Sequence, residues 1–217
     1  MKQGETEMRI AIIGTGNVGS AIARGLKGKG HDVLLGARNP QTAEVAELVS
    51  ATDATPMFPA AAAAEAEIIV LALPWGGAET AVKALGPLED KTVIDCMNPL
   101  GMVEGALGLT LGHSNSGGEM VQGWIPGAHV VKTLNQVGAE IMAKNDTLPQ
   151  RPVMFMAGDD AAAKARVAAL LTDLGFAAMD AGDITKARLL EPFGMVWINQ
   201  ALFRGKGRNW AFAAVEG

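Results

Sequence analysis

The feature that most restricts this chain is a spaced glycine turn, Gly14-Thr15-Gly16-Asn17-Val18-Gly19, set between the apolar run Met8–Ile13 and a helical stretch from Ser20 to Lys29. Strand, glycine turn and helix in that order have a mechanical meaning. The first glycine permits the tight turn, the second lets backbone approach a diphosphate, and the third lets the helix lie close to the strand. Ser20, Ala21 and Ala23 keep that helix face small. The helix start offers unpaired N–H groups and a partial positive charge to an anion.

Beyond the turn, strand and helix patterns keep alternating. Val33–Gly36, Ala54–Phe58, Glu67–Leu73, Thr92–Asp95, Ala128–Thr133, Val153–Ala157 and Phe176–Met179 read as strands. Gln41–Ser50, the alanine run Ala60–Ala64, Gly77–Leu85 and Ala161–Leu174 read as helices. The glycine-rich stretch Gly101–Gly118 shows no clear period and is expected to be a long loop with some helical turn. Ile184–Arg204 is expected to be one long apolar helix interrupted near Pro192. The pattern predicts an α/β fold of the Rossmann type: a doubly wound, mainly parallel sheet with a small C-terminal helical appendage. Residues 1–181 would form the dinucleotide-binding domain. Residues 182–217 would form a helical segment that completes the substrate pocket and contributes a dimer contact.

With 217 residues, 49% hydrophobic and 19% charged, the chain has material for one sizeable domain rather than two. Its formal charge of −5 supplies no basic stripe for a phosphate backbone, so nucleic acid is set aside. A single cysteine, Cys96, excludes a disulfide within the chain and any multi-cysteine metal site. No metal ligands are proposed. The polar start Met1–Glu7 lacks a signal-peptide core and no long apolar run follows, so a cytoplasmic protein without a membrane span is expected.

The end of the second strand chooses between nicotinamide cofactors. An NAD site usually places a carboxylate there for the ribose 2′-hydroxyl. This chain has Leu34-Leu35-Gly36-Ala37-Arg38-Asn39-Pro40, with a guanidinium that can fork to a 2′-phosphate and stack on adenine. NADP(H) is therefore the expected cofactor.

Those motifs, with Leu73-Pro74-Trp75, Ile94-Asp95-Cys96-Met97-Asn98-Pro99, Val131-Lys132-Thr133-Leu134-Asn135, Asp180-Ala181-Gly182 and Ala187-Arg188-Leu189-Leu190-Glu191, resemble the NADP-dependent coenzyme F(420) oxidoreductase family in the same order over nearly the whole chain. The reductase domain of membrane metalloreductases is similar too. The resemblance implies hydride transfer between NADPH and a deazaflavin. It implies that Thr15, Gly16, Asn17 and Val18, within the cofactor-binding turn that runs from Gly14 to Gly19, hold the pyrophosphate and Arg38 the 2′-phosphate. Leu73, Pro74 and Trp75 would line the central stretch, and backbone around Val137 and Ala139 would orient the nicotinamide amide. Two departures stand out: Ala37 replaces a frequent serine, and no helper lysine follows in Pro40-Gln41-Thr42-Ala43.

Ring-to-ring hydride transfer needs stacking, distance and exclusion of water, and no side-chain acid or base is obligatory. No catalytic residue is named. Asn98, Thr133 and Asn135 follow two central strands and are candidates for polar contacts to nicotinamide or substrate, or else ordinary loop caps. His113 is a substrate contact or a solvated loop residue, and His31 and His129 read as structural. Cys96 reads as an inert core thiol. Trp75, Met195 and Trp197 would wall a flavin-like pocket or pack in the core. Arg204, Lys206 and Arg208 would clamp an acidic substrate tail or lie in a solvated terminus. The acceptor is F(420), another flavin or a metal-bearing compound. A silent NADPH-binding sensor and a small imine or hydroxy-acid reductase are the alternatives. The strongly apolar last helix predicts a homodimer.

Overall fold

A computed structural model describes residues 7–215 and 217. The polar start at 1–6 lies outside the described residues. The strands are β1 (Arg9–Ile13), β2 (Asp32–Gly36), β3 (Thr55–Met57), β4 (Ile68–Leu71), β5 (Thr92–Asp95), β6 (Leu100–Val103), β7 (Ala106–Leu109), β8 (His129–Lys132), β9 (Val153–Gly158) and β10 (Ala177–Gly182). The helices are α1 (Asn17–Leu26), α2 (Ala43–Thr52), α3 (Pro59–Glu65), α4 (Ala78–Lys83), α5 (Gly117–Trp124), α6 (Ala139–Ala143), α7 (Ala161–Asp173) and α8 (Ala187–Ile198).

Eight strands form one sheet in the order β10-β9-β8-β5-β4-β1-β2-β3. From β3 to β8 all pairings are parallel, in the doubly wound order that reverses direction at β1 and β4. β9 is antiparallel to β8, and β10 is parallel to β9. Successive residues of a strand point to opposite faces, and β1 shows this directly. Ile10 and Ile12 join a core beneath α1, α2, α6 and α7, while Ala11 and Ile13 join the opposite core beneath α3, α4 and α5. Burial on both faces explains the continuous apolar runs of the central strands.

The stretch 101–118 departs from the expected loop. β6 and β7 pair as an antiparallel hairpin through Glu104 and Gly105, whose φ values of 50° and 83° suit a two-residue turn. α5 then starts at Gly117, where the Ser116 hydroxyl accepts from the Glu119 amide. The last helix also differs from expectation. α8 runs through Pro192 without a break, although proline at its middle leaves one carbonyl of the preceding turn without its helical partner. The irregularity comes later, at a wider π turn over Asn199–Phe203. Among the described residues no helix is long and apolar enough to cross a membrane.

Candidate cofactor-binding site

Each glycine of the turn does the work its spacing assigns. Gly14 has φ 104° and its amide donates to the Gly36 carbonyl at 3.1 Å, tying the turn to the end of β2. A Cβ there would lie 2.4 Å from the Ala72 carbonyl oxygen. A Cβ on Gly19 would lie 1.9 Å from the Gly14 carbonyl oxygen, so α1 can start this close to the strand only with glycine. Gly16 is different, because nothing lies within 4 Å of its Cβ position. Gly16 caps α1 without any side-chain hydrogen bond, and the first turn of the helix contains no acid. Free amides beside open space fit a diphosphate.

Gly16, Asn17 and Val18 form one wall of a groove of about 210 Å3, faced by Ala72, Leu73, Pro74 and Cys96. It crosses the carboxyl ends of β1, β4 and β5, at the switch point of the sheet where ligands of such folds bind. Burial pushes the Cys96 thiol far up, so it stays protonated and inert. At the other end, the Ala37 amide donates to Met57 at 2.9 Å, and Arg38 projects as an exposed side chain. Among the described residues no carboxylate pairs with it. A cationic side chain at this point, with no acid nearby, fits a 2′-phosphate. Trp75, next along the chain from Pro74, stacks on Trp124 with ring centres 5.5 Å apart.

The strand-end residues behave otherwise than free ligand contacts. Asn135 Nδ2 donates to Asn98 Oδ1 at 2.9 Å and to the Leu190 carbonyl at 3.1 Å, and Asn98 Nδ2 donates to the Asn135 carbonyl at 3.0 Å. The two amides brace β5, β8 and α8 against one another. Thr133 donates to the Phe155 carbonyl at 2.8 Å. Val137 and Ala139 are buried just beyond, with Trp197 packed on Gly138 between them. His113 is exposed with φ 56°, and His31 is buried against Asp173 at 3.2 Å.

The profile of the family described as NADP oxidoreductase, coenzyme F(420)-dependent, matches residues 9–99. A structure from Arthrobacter sp. FB24, assigned as an F(420)-dependent NADP reductase, is 34% identical, covers 96% of this chain and 100% of that one, and superposes with a TM-score of 0.87. The chain belongs to the coenzyme F(420)-dependent NADP oxidoreductase family. A hypothetical protein from Sinorhizobium meliloti is 26% identical to the oxidoreductase over 83% of this chain and 87% of that one, with a TM-score of 0.73. The metalloreductase STEAP3 of Rattus norvegicus is 27% identical over 183 residues. That match takes in 84% of the oxidoreductase but spans only 36% of the length of the rat protein.

Beside the groove the oxidoreductase holds a buried charge cluster that sequence reasoning missed. Lys132 Nζ lies 3.0 Å from Asp95 Oδ2 and 2.9 Å from Glu191 Oε1, and also donates to the Met97 carbonyl. Burial alone would push the Lys132 ammonium down, yet Asp95 and Glu191 outweigh it and hold the group above its ordinary value. Glu191 also accepts from the amides of Gly117 at 3.0 Å and Gly118 at 3.1 Å, the positive end of α5. A lysine closing the apolar strand His129–Lys132 was the available signal.

The basic tail is largely engaged in holding itself down. Arg208 pairs with Glu140 at 2.7 Å and lies over Trp197, while Lys206 lies 5.1 Å from the Trp210 ring centre. Trp197 donates to the Trp210 carbonyl at 3.0 Å, and Val153 donates to Phe212 at 2.9 Å. The tail is folded back on α8 and β9, which leaves Arg204 as its exposed cation without a partner among the described residues.

Proposed function

We propose that the oxidoreductase transfers hydride between NADP(H) and a flavin-like acceptor such as coenzyme F(420). The observation that carries this reading is the groove itself, which joins the open backbone at Gly16 to a wall of Ala72, Leu73, Pro74 and Cys96. Gly16, Asn17 and Val18 would hold the diphosphate, Arg38 the 2′-phosphate, and Leu73, Pro74 and Trp75 the central stretch. When bound, the nicotinamide supplies the transferable hydride. Backbone at Val137 and Ala139 would set the orientation of that ring, and α8 would shield it from water. Gly194 and Trp197 would be the contribution of the segment 182–217 to the nicotinamide end of the pocket.

The likeness to the rat metalloreductase supports a second reading, a metal-bearing acceptor. Mixing NADPH with the protein and F(420), free flavins or ferric chelates, while following reduced-nicotinamide absorbance, separates the two. Oxidation by none of them, with NADPH bound, would overturn both in favour of a silent sensor. We also propose a homodimer through the exposed Leu189, Val196, Leu202 and Phe203. Light scattering showing only a 22.4 kDa species would overturn that assembly.

A further inference from the structure

We propose that Glu191 is a positioning residue for the nicotinamide half of the site, locking α8 to the ends of β5 and β8 so that the Asn98–Asn135 brace and Gly194 take their places. The proposal rests on the NADP(H) reading of the groove.

Glu191, on α8, touches β8 through Lys132 and the start of α5 through Gly117 and Gly118. Its Oε1 meets Lys132 Nζ at 2.9 Å and the Gly118 amide at 3.1 Å, and its Oε2 meets the Gly117 amide at 3.0 Å. Lys132 passes the constraint to Asp95 at 3.0 Å and to the Met97 carbonyl, the residue before Asn98. One residue before Glu191, the Leu190 carbonyl receives Asn135 Nδ2 at 3.1 Å. One turn later, Gly194 lies so close that a Cβ would be 2.6 Å from the Asn135 carbonyl oxygen. The carboxylate therefore fixes the height of α8 over the strand ends, and the strand ends carry Asn98, Asn135 and Val137. By contrast, Arg38 and the glycine turn belong to β1 and β2, on the far side of β4. A slipped α8 should disturb one half of a bound dinucleotide and spare the other.

Glu191→Gln tests this with little change of shape, because the new NH2 group would face either Lys132 or one of the two glycine amides, donor against donor. Binding is read by calorimetry with two probes: adenosine 2′,5′-bisphosphate, which carries only the adenosine half, and NADPH. The expected result is unchanged affinity for the bisphosphate and about a tenfold loss for NADPH, the scale of one charged hydrogen bond. Gly194→Ala displaces α8 without altering a charge and should show the same selective loss, including where Glu191→Gln fails to fold. Val167→Ala, a core change on α7, should lower thermal stability without separating the two probes. Equal losses for both probes, or no loss for either, would overturn the positioning role. Failure of the wild-type protein to bind the bisphosphate would instead overturn the NADP(H) reading, and no result depends on which acceptor is reduced.

Discussion

Lys132 Nζ and Glu191 Oε1 stand 2.9 Å apart, with the two side chains 0% and 2% exposed. In such surroundings an ion pair is stable as a set, and removing one member leaves the rest without compensation. Lys132→Met would strand the carboxylates of Asp95 and Glu191 in the interior. A loss of about 3–5 kcal/mol is expected, read from urea unfolding midpoints. A midpoint equal to wild type would show that water reaches the cluster.

Arg38→Ala should weaken NADPH binding by roughly 10- to 100-fold, the range of a lost charge-assisted contact, and leave NADH almost unaffected. Titrating both cofactors against both proteins checks this. With Ala37 in place of a serine and no lysine following, Arg38 would carry the discrimination nearly alone. Equal affinities of the wild type for NADPH and NADH would remove its assigned role.

Gly16→Ala and Gly19→Ala should fail in different ways. Open space around Gly16 means that a methyl group there leaves the fold intact and stands where the diphosphate would approach. Thermal melting should be unchanged while NADPH affinity drops at least tenfold, about the scale of one lost hydrogen bond to a charge. At Gly19 the methyl group would meet the Gly14 carbonyl oxygen at 1.9 Å, forcing α1 off the strand. That variant should lose stability first, on the order of the 1–3 kcal/mol of an overpacked core.

Acid should expose the link between α5 and α8. Arg188 donates to Glu119 through both Nε and Nη2 and holds its carboxyl below the ordinary 4.5; burial opposes this, and the Ser116 hydroxyl adds to it. A lowered carboxyl stabilises the fold above 4.5 and loses that contribution as pH falls through the folded value. Glu119→Gln should cost up to about 1 kcal/mol at neutral pH, discounted for partial exposure, and nothing in strong acid. Unfolding curves at both pH values provide the comparison, and a difference that persists in acid would contradict it.

Local patterns carried most of the fold and little of the wiring around the site. Ile10 through Ile13 announce a strand buried on both faces, and Gly14, Gly16 and Gly19 announce the turn, because each rule acts within a few residues. The β6–β7 hairpin escaped notice because its turn is Glu104-Gly105 rather than an asparagine-glycine pair. α5 escaped because Gly117 and Gly118 weaken it as a helix, and their reason lies elsewhere in the chain. A Cβ on Gly118 would meet Ala187 at 2.9 Å. Asp95, Lys132 and Glu191 were each visible as motif residues, yet Asp95 and Lys132 are 37 positions apart and only the sheet brings them together. The same holds for Asn98 and Asn135, whose side chains turned out to hold each other.

Cys96 is the chain's single thiol, and it forms part of the groove wall while buried and protonated. A reagent that alkylates thiolates should react with it only when water enters around the buried thiol. The rate of labelling then counts those excursions with no engineered probe, and a dinucleotide lying across the groove should slow the count in proportion to its occupancy. The residue that contributes nothing to the chemistry thus makes the site its own gauge of opening.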